Sequence, residues 1–471
     1  MAIASELSGA IALPPLLGRV TVAAPGFINI VLEPAWLQAQ LAAIADAGAQ
    51  WGRSDVGQGA SVQVEFVSSN PTGPMLFSHA RGAVVGDVVA RVVDAAGFRV
   101  QREYYINDKG RQVRLFGESI AARMQDQPVP EGGYTGSYID EIAREATTRG
   151  LAEASALAEF GMAWVQERIS DDLSRLSIRH DNFFSESSLY TGWDEDTMRK
   201  LRELGRIEEK DGATWFKTGG DKDEVLIKRD GYPTYFWSDI LYHRDKFEKR
   251  GFDRVVDVWG ADHQGQVARV KEALSVLGID PARLSVLLVQ LVSVKRGEET
   301  VRMSRRAGVG ISLKEMIDDV GADAVRYFFL LRSADAQMEF DVELARRQSS
   351  ENPVYYAQYA HARLANVLRL GGEMTAPAAL ERVNSDWELE LMRVMMRWPD
   401  VVRESAEALE PHRLAFFTDD LAAAIHRFYK NCRVVTDDAP LTAARLLLSR
   451  AARITIANAL GLMGVSAPDR M

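Results

Sequence analysis

The stretch Val64–Gly82, VEFVSSNPTGPMLFSHARG, decides the fold of this chain. Its first residues belong to an apolar alternation at Val62, Val64 and Phe66, which predicts a half-buried strand. A turn rich in Gly and Pro comes next. After the turn, paired valines recur at near-helical spacing, at Val84/Val85, Val88/Val89 and Val92/Val93. The sequence therefore predicts a strand, a turn and a helix in direct succession.

Further strands are predicted after this unit, at 100–106 (VQREYYI), 255–259 (VVDVW) and 284–294. They alternate with helical stretches, which is typical of a doubly wound parallel sheet. Such a sheet binds its ligands beyond the carboxyl ends of its strands. We therefore expect Asn70, His79 and the turn at 260–263 (GADH) to meet there.

Composition places the chain among ordinary globular proteins. Its 471 residues are enough for two or three domains, and 47% are hydrophobic and 26% charged. The single cysteine, Cys432, argues against a disulfide framework and excludes a cysteine-based zinc site. The apolar N-terminal stretch carries Glu6 and is broken by Pro14 and Pro15, so neither a signal peptide nor a membrane span is predicted. The expected compartment is the cytoplasm.

The formal net charge of −10 is unusual for a protein that binds nucleic acid. Basic residues nevertheless cluster locally, at 243–250 (HRDKFEKR), at 302–306 and at Arg346–Arg347. Taken alone, each cluster is typical of a solvated helix face or turn.

The quoted stretch resembles the arginyl-tRNA synthetase family of class I aminoacyl-tRNA synthetases. In that family a strand ending in VEF is followed by S-x-N-P-T-G-P, then by H-x-G-H, then by A-R-G at the start of a helix. The resemblance extends over most of the chain, down to the terminal GVSAPDRM. It implies a Rossmann-like, doubly wound α/β catalytic domain followed by an all-α, anticodon-binding-like domain.

The signature departs from the family at its catalytic letters, since H-x-G-H reads Leu76, Phe77, Ser78 and His79. In the family, donors at this motif and at the helix N-terminus face the charge that develops on the α-phosphate of ATP. Leu76 cannot donate, and the loss of one such donor typically costs about 10²–10³ in rate. Ser78 also adds a side chain where glycine lets the backbone approach a phosphate.

The second family signature, K-M-S-K-S, reads Arg302, Met303, Ser304, Arg305 and Arg306. Arginine has a planar guanidinium group with several N–H donors, whereas lysine has a compact ammonium group. The exchange of lysine for arginine is therefore not conservative at a transient phosphate contact. Together with the loss at Leu76, this predicts a degenerate paralogue that no longer activates arginine with ATP. The resemblance also places Asp262 and His263 with this loop, as contacts to tRNA or nucleotide.

The residues that hold arginine in the family are, by contrast, kept. A bound guanidinium needs paired carboxylates, because an unpaired buried charge is costly. In the family these partners come from S-E-x-S-L-Y and P-T-Y-x-x-x-D, which here give Glu186, Tyr235 and Asp239. The family's contacts to the α-amino and carboxylate end map onto Glu65, Asn70 and Gln266.

The resemblance divides the chain into three parts. Residues 1–55 resemble the end of the family's N-terminal domain and its link to the core, so most of that domain is expected to be missing and the tRNA footprint reduced. Residues 56–345 form the expected catalytic domain, with a mostly helical insertion at about 110–225. Residues 346–471 form the expected helical, anticodon-binding-like domain.

Three functions remain open. The hypothesis we favour from the sequence is transfer of an aminoacyl group from aminoacyl-tRNA to the amino group of an arginine-like guanidino molecule, as antibiotic biosynthesis would use. It assigns His79 as the base, with Asn70 and Ser78 completing the catalytic set, and needs no metal or cofactor. The alternatives are an arginine:tRNA ligase that uses ATP and Mg²⁺, and a non-catalytic arginine-binding regulator. The expected partners are tRNA and the guanidino substrate, with no membrane, and the expected state is a monomer.

Overall fold

A computed structural model describes residues 1–11, 17–220, 222–297, 299–301, 311–372 and 377–471. Contacts divide the chain into two compact units. One consists of 1–54, 347–405 and 413–471, and the other of 55–346 with 406–412. The domain bounds derived from the sequence stay a prediction.

The first part of the chain begins with a small helix and a hairpin. Its elements are α1 (Ala2–Ala10), β1 (Leu17–Ala23), β2 (Phe27–Leu32) and α2 (Pro34–Ala47). Strands β1 and β2 pair antiparallel as a separate two-stranded sheet. Within its unit, α2 packs on the C-terminal helices, and Asn458 Nδ2 donates to the carbonyls of Gly48 and Trp51 at 2.9 and 3.0 Å. Helix α2 is thus packed within this unit, with Leu37, Leu41 and Ile44 buried.

The unit 55–346 continues with β3 (Ser61–Glu65), α3 (Ala80–Ala95), β4 (Arg99–Ile106), α4 (Arg111–Met124), α5 (Ser137–Thr148), α6 (Ala154–Arg175), β5 (Asn182–Ser185), α7 (Trp193–Glu203), β6 (Ile207–Lys210), β7 (Ala213–Phe216), β8 (Glu224–Ile227), α8 (Tyr235–Arg244), β9 (Arg254–Gly260), α9 (Gln264–Val276), β10 (Leu284–Val289), β11 (Val292–Arg296), β12 (Glu299–Val301), α10 (Leu313–Val320), α11 (Ala322–Phe329), β13 (Met338–Asp341) and α12 (Val342–Arg346). A π-helical turn, Asp245–Lys249, directly follows α8.

Five parallel strands form the central sheet, in the order β10-β9-β3-β4-β5. The doubly wound, Rossmann-like fold predicted from the sequence is therefore confirmed. The interval 110–225 contains helices α4 to α7, but it also contains β5, which extends this sheet, and the antiparallel sheet β6-β7-β8. The strand predicted at 284–294 is two strands in different sheets, since β11 pairs with β12 and β13.

Strand β3 and helix α3 approach closely. Gly86 lies on the inner face of α3, and a Cβ at this position would overlap the side chain of Phe66. Val62, Val64 and Phe66 are buried, as are all six valines predicted to face the core from the helix. The turn between the two elements, Val67–His79, therefore lies at a fixed place at the carboxyl edge of the sheet.

The C-terminal elements are all helical, as the resemblance implies. They are α13 (Pro353–Gly371), α14 (Asp386–Met396), α15 (Trp398–Ala408), α16 (His412–Asn431) and α17 (Ala439–Leu462). Their leucines, alanines and phenylalanines form the core of this unit. Within the described parts of the chain, no helix has the length and apolar content needed to cross a membrane.

Candidate active site

The predicted substrate-binding residues lie at the carboxyl ends of neighbouring parallel strands. Glu65 ends β3, Glu186 directly follows β5, and Gln266 lies in the first turn of α9, after β9. Asp239 lies on α8, whose Ser238 contacts Glu186. This is the edge at which an open parallel sheet binds its ligands.

The altered signature forms a short 3₁₀ turn, Phe77–His79, that leads into α3. Leu76 is only 4% exposed and bridges Ser312 in an antiparallel pair. The Phe77 amide donates to the Ile311 carbonyl, and the Leu313 amide donates to the Met75 carbonyl, each at 3.1 Å. The signature segment is therefore hydrogen-bonded to the chain that directly follows residues 302–310.

Ser78 is half-buried and His79 is exposed, and Ser78 Oγ lies 3.4 Å from His79 Nδ1. Two polar groups of the signature thus remain accessible beside the start of α3. The predicted loop residues Arg302, Met303, Ser304, Arg305 and Arg306 lie outside the described residues. Of the two residues grouped with that loop, Asp262 has an 81% exposed side chain and His263 Nδ1 lies 3.3 Å from Gln266 Oε1.

Glu65 is buried and held from two sides. Lys246 Nζ and Ser68 Oγ each donate to its carboxylate at 2.8 Å. Burial raises the pKa of the Glu65 carboxyl, while the positive charge of Lys246 opposes this rise. The next turn is strained, because Val67 and Ser68 have φ values of 71° and 37°. Residues other than glycine rarely adopt positive φ values, and the β-branched Val67 is especially disfavoured there. This turn aims Ser68 Oγ back at Glu65.

Asn70 lies in the same turn, and its Nδ2 donates to Gln112 Oε1 at 2.8 Å. Gln112 is near the start of α4, so Asn70 connects the signature turn to the helix that follows β4. Its amide is half-buried and is thus fixed at the carboxyl edge of the sheet.

Glu186 forms the second buried carboxylate of the site. Ser238 Oγ donates to its Oε1 at 2.8 Å, and the Asn107 amide nitrogen donates to its Oε2 at 3.2 Å when that amide is oriented for hydrogen bonding. Burial raises the pKa of Glu186, against hydrogen bonds from Ser238 and Tyr105 that favour its ionised form.

Asp239 is the third acidic group, and burial raises its pKa to about 7, although the neighbouring His243 opposes this rise. All three carboxyls act electrostatically on Tyr105 on β4, which also hydrogen-bonds to Glu186. Burial raises the pKa of the Tyr105 phenol, and the charges of Glu186, Asp239 and Glu65 raise it further. A group of three carboxyls whose pKa values are all raised by burial favours a cationic ligand. Tyr235, 57% exposed on the first turn of α8, offers an aromatic face beside them.

The groups behind these carboxyls were not predicted from the sequence. The interpretation of 243–250 as a solvated basic cluster is wrong, because His243, Arg244 and Lys246 are buried. Asp257, in the middle of the buried strand β9, accepts from Lys246 Nζ at 2.8 Å and pairs with His243 Nε2 at 2.6 Å. A carboxylate inside the apolar run VVDVW was the signal that could have revealed them, since a buried charge requires a partner.

Two family models match the chain. The model "tRNA synthetases class I (R), catalytic domain" matches residues 41–132, and the model "DALR anticodon binding domain" matches residues 357–471. The arginine–tRNA ligase of Dehalococcoides mccartyi strain CBDB1 is 46% identical over 477 residues, covering 97% of this chain and 86% of that protein. The chain belongs to the arginyl-tRNA synthetase family.

Two further members of the arginyl-tRNA synthetase family are also similar to this chain. The arginine–tRNA ligase of Moorella thermoacetica is 46% identical over 481 residues, covering 97% of this chain and 86% of that protein. The solved arginyl-tRNA synthetase of Thermus thermophilus has the same fold, with a TM-score of 0.79 at 22% identity, covering 100% of this chain and 91% of the other. The family resemblance is thus confirmed, whereas nothing in these likenesses supports a degenerate paralogue or a transferase.

Proposed function

We propose that the protein is an arginine–tRNA ligase, which activates arginine with ATP and passes it to tRNA. The observation that carries this proposal is the group of Glu65, Glu186 and Asp239 around Tyr105, in a chain 46% identical to proteins named arginine–tRNA ligase. The transferase that we favoured from the signature alone has less support than this alternative.

In this proposal the two ends of arginine bind to different carboxyls. The guanidinium pairs with Asp239 and Glu186, because a delocalised cation is matched by fixed carboxylates and its binding ionises both. Tyr235 packs against the guanidino tail. Glu65, held by Lys246 and Ser68, receives the α-amino group. Asn70 and Gln266 orient the amino and carboxylate end.

Activation then joins the arginine carboxylate to the α-phosphorus of ATP and releases pyrophosphate, and a ribose hydroxyl of tRNA displaces AMP to form the ester. His79 and Ser78 are the accessible side chains of the signature that can donate to the phosphate oxygens, together with the first backbone amides of α3. Arg302–Arg306, with Asp262 and His263, supply the remaining contacts in this proposal.

Magnesium enters with the nucleotide in this scheme. Over the described residues no three His, Cys, Asp or Glu side chains group as a metal site. Mg²⁺ that accompanies ATP is bound chiefly by phosphate oxygens and water, with one or two carboxylates at most, and so requires no such group.

tRNA is the proposed macromolecular partner, and we propose that a monomer binds it. Residues 357–471 match an anticodon-binding domain. This region has a cavity of about 720 Å³ lined by Tyr359, Arg363, Arg369, Tyr429 and Arg453, among others. Arginines bind phosphates and tyrosines stack on bases, so the lining suits a single-stranded loop of RNA.

The test is arginine-dependent exchange of pyrophosphate into ATP, followed by arginylation of tRNA, with the Glu186→Gln variant as control. We expect both reactions in the wild type and a loss of at least about tenfold in the variant. No exchange, either with or without tRNA present, would refute the ligase.

One observation favours the aminoacyl-tRNA-dependent transferase as the second candidate. Leu76 is buried and apolar where the family has a histidine donor. If the transferase were correct, charged tRNA and a guanidino amine would give an acylated small molecule without ATP. The double change Leu76→His with Ser78→Gly would then create pyrophosphate exchange that the wild type lacks. Exchange already present in the wild type would reject this candidate.

A further inference from the structure

A chain of ionic hydrogen bonds lies buried behind the three carboxyls. Lys246, whose side chain is 0% exposed, donates at 2.8 Å both to Glu65 Oε2 and to Asp257 Oδ1. The other oxygen of Asp257 lies 2.6 Å from His243 Nε2, and His243 Nδ1 lies 2.7 Å from the carbonyl oxygen of Asp239. These hydrogen bonds thus form an uninterrupted series from Glu65 at the end of β3 to the backbone of α8.

Lys246 is the cation at the centre of this chain of hydrogen bonds, between the carboxylates of Glu65 and Asp257. The carbonyl oxygen of Asp239 can only accept, so His243 Nδ1 carries a proton in this arrangement. Although burial alone would raise it, Lys246 and His243 hold the pKa of Asp257 well below its usual range. Buried charges that are paired and hydrogen-bonded in this way keep a single geometry.

Lys246 lies where α8 passes into a π-helical turn. Residues 245–249 form a π-helical turn, in which the Arg250 amide donates to the Asp245 carbonyl at 2.9 Å. Such turns insert one residue into a helix and occur frequently at functional sites. Lys246 is the second residue of this turn and lies three residues after His243 and four after Tyr242, on the buried face of α8. Its ammonium lies 4.0 Å from the centre of the Tyr242 ring.

We propose that Lys246 is a positioning residue for the α-amino group of the substrate, because it fixes and ionises the Glu65 carboxylate that receives this group. Asp257 and His243 continue the hydrogen bonds from Lys246 to the backbone of Asp239. The inference rests on the proposed function, since it assumes that arginine is the ligand. Without Lys246, the buried Glu65 takes up a proton and can no longer pair with an ammonium group.

The ligand itself provides the test. Desamino-arginine keeps the guanidinium and the carboxylate but has hydrogen in place of the α-amino group. Calorimetric titration of the full chain with both ligands should show that Lys246→Met weakens arginine binding by about 10- to 100-fold and leaves desamino-arginine within about threefold. Lys246→Arg, which keeps the positive charge, should recover part of the loss. Asp239→Asn, the matched control at the other end of the ligand, should weaken both.

A double-mutant cycle shows whether Lys246 acts through Glu65. In a Glu65→Gln background, adding Lys246→Met should change arginine affinity by less than about threefold, because the interaction is already absent. Additive losses would overturn the proposal, and so would equal losses for both ligands in Lys246→Met. If Lys246→Met does not fold, the Glu65→Gln, Lys246→Met pair, which removes both charges, gives the same comparison against Glu65→Gln alone. A wild-type protein that binds neither ligand would contradict the proposed function itself.

Discussion

Asp239→Asn should stabilise the unliganded protein at neutral and alkaline pH while it abolishes tight arginine binding. Burial raises the pKa of Asp239 to about 7 from an ordinary value of 3.8. The unfolded chain therefore ionises this carboxyl about three pH units before the folded chain does. The free energy of unfolding that it contributes falls as pH rises from about 4 to about 7, and stays low above that.

Three pKa units correspond to about 4 kcal/mol. Asp239 is only partly shielded from solvent, which reduces the figure to about 2–4 kcal/mol. At pH 8 the asparagine variant should therefore unfold at a temperature several degrees above the wild type, whereas near pH 3, below both pKa values, the difference should vanish. Scanning calorimetry without arginine measures both. Saturating arginine should stabilise the wild type and leave the variant unchanged.

The exposed Asp126 supplies the matched control, since Asp126→Asn should leave the unfolding temperature unchanged at both pH values. A lower unfolding temperature for Asp239→Asn at pH 8, or a difference between variant and wild type that does not depend on pH, would refute the reasoning.

Burial lowers the pKa of His180 to about 4, so unfolding free energy should be lost as pH falls from about 6.5 to about 4, and His180→Phe should flatten this dependence in a calorimetric series. The buried Arg81 donates to the carbonyls of Gln290, Ser333 and Ala336. Arg81→Lys lacks the planar guanidinium donors, so it should lower the free energy of unfolding by about 2–4 kcal/mol. Unchanged thermal unfolding would contradict this role. Gly86→Ala should cost about 1–3 kcal/mol, because the new Cβ overlaps Phe66, whereas Gly82→Ala, with open space around it, should be neutral in the same assay.

The sequence predicted the central sheet well, because its signals are local. The valines after Phe66 and the alternation before it indicated β3 and α3, and β4 and β9 were predicted within a residue or two of their bounds. The run 284–294 was less informative, since it stays apolar where the chain leaves the sheet. There the Gln290 amide donates to the Ala334 carbonyl, a contact between residues far apart in sequence.

The site residues also differ in whether a local sequence signal predicts them. Motifs predicted Glu65, Glu186 and Asp239 as site residues, which stays a prediction, and in the structure all three carboxyls act electrostatically on Tyr105. Lys246 could not, because its neighbours Asp245, Glu248 and Lys249 are those of a surface helix. Its spacing from Tyr242 and His243 places it on the buried face of the helix, but this spacing does not show which strand carboxylates a lysine on that face contacts.

The π-helical turn at 245–249 also makes the length of this segment matter as much as its composition. Loss of a single residue there would restore an ordinary α-helical repeat and rotate the residues that follow by about 100°. Arg250 directly follows the turn, and its guanidinium donates to the buried Glu103 carboxylate at 2.5 and 3.0 Å. A one-residue deletion would therefore carry this guanidinium away from Glu103, whereas a substitution within the turn would leave the backbone path in place.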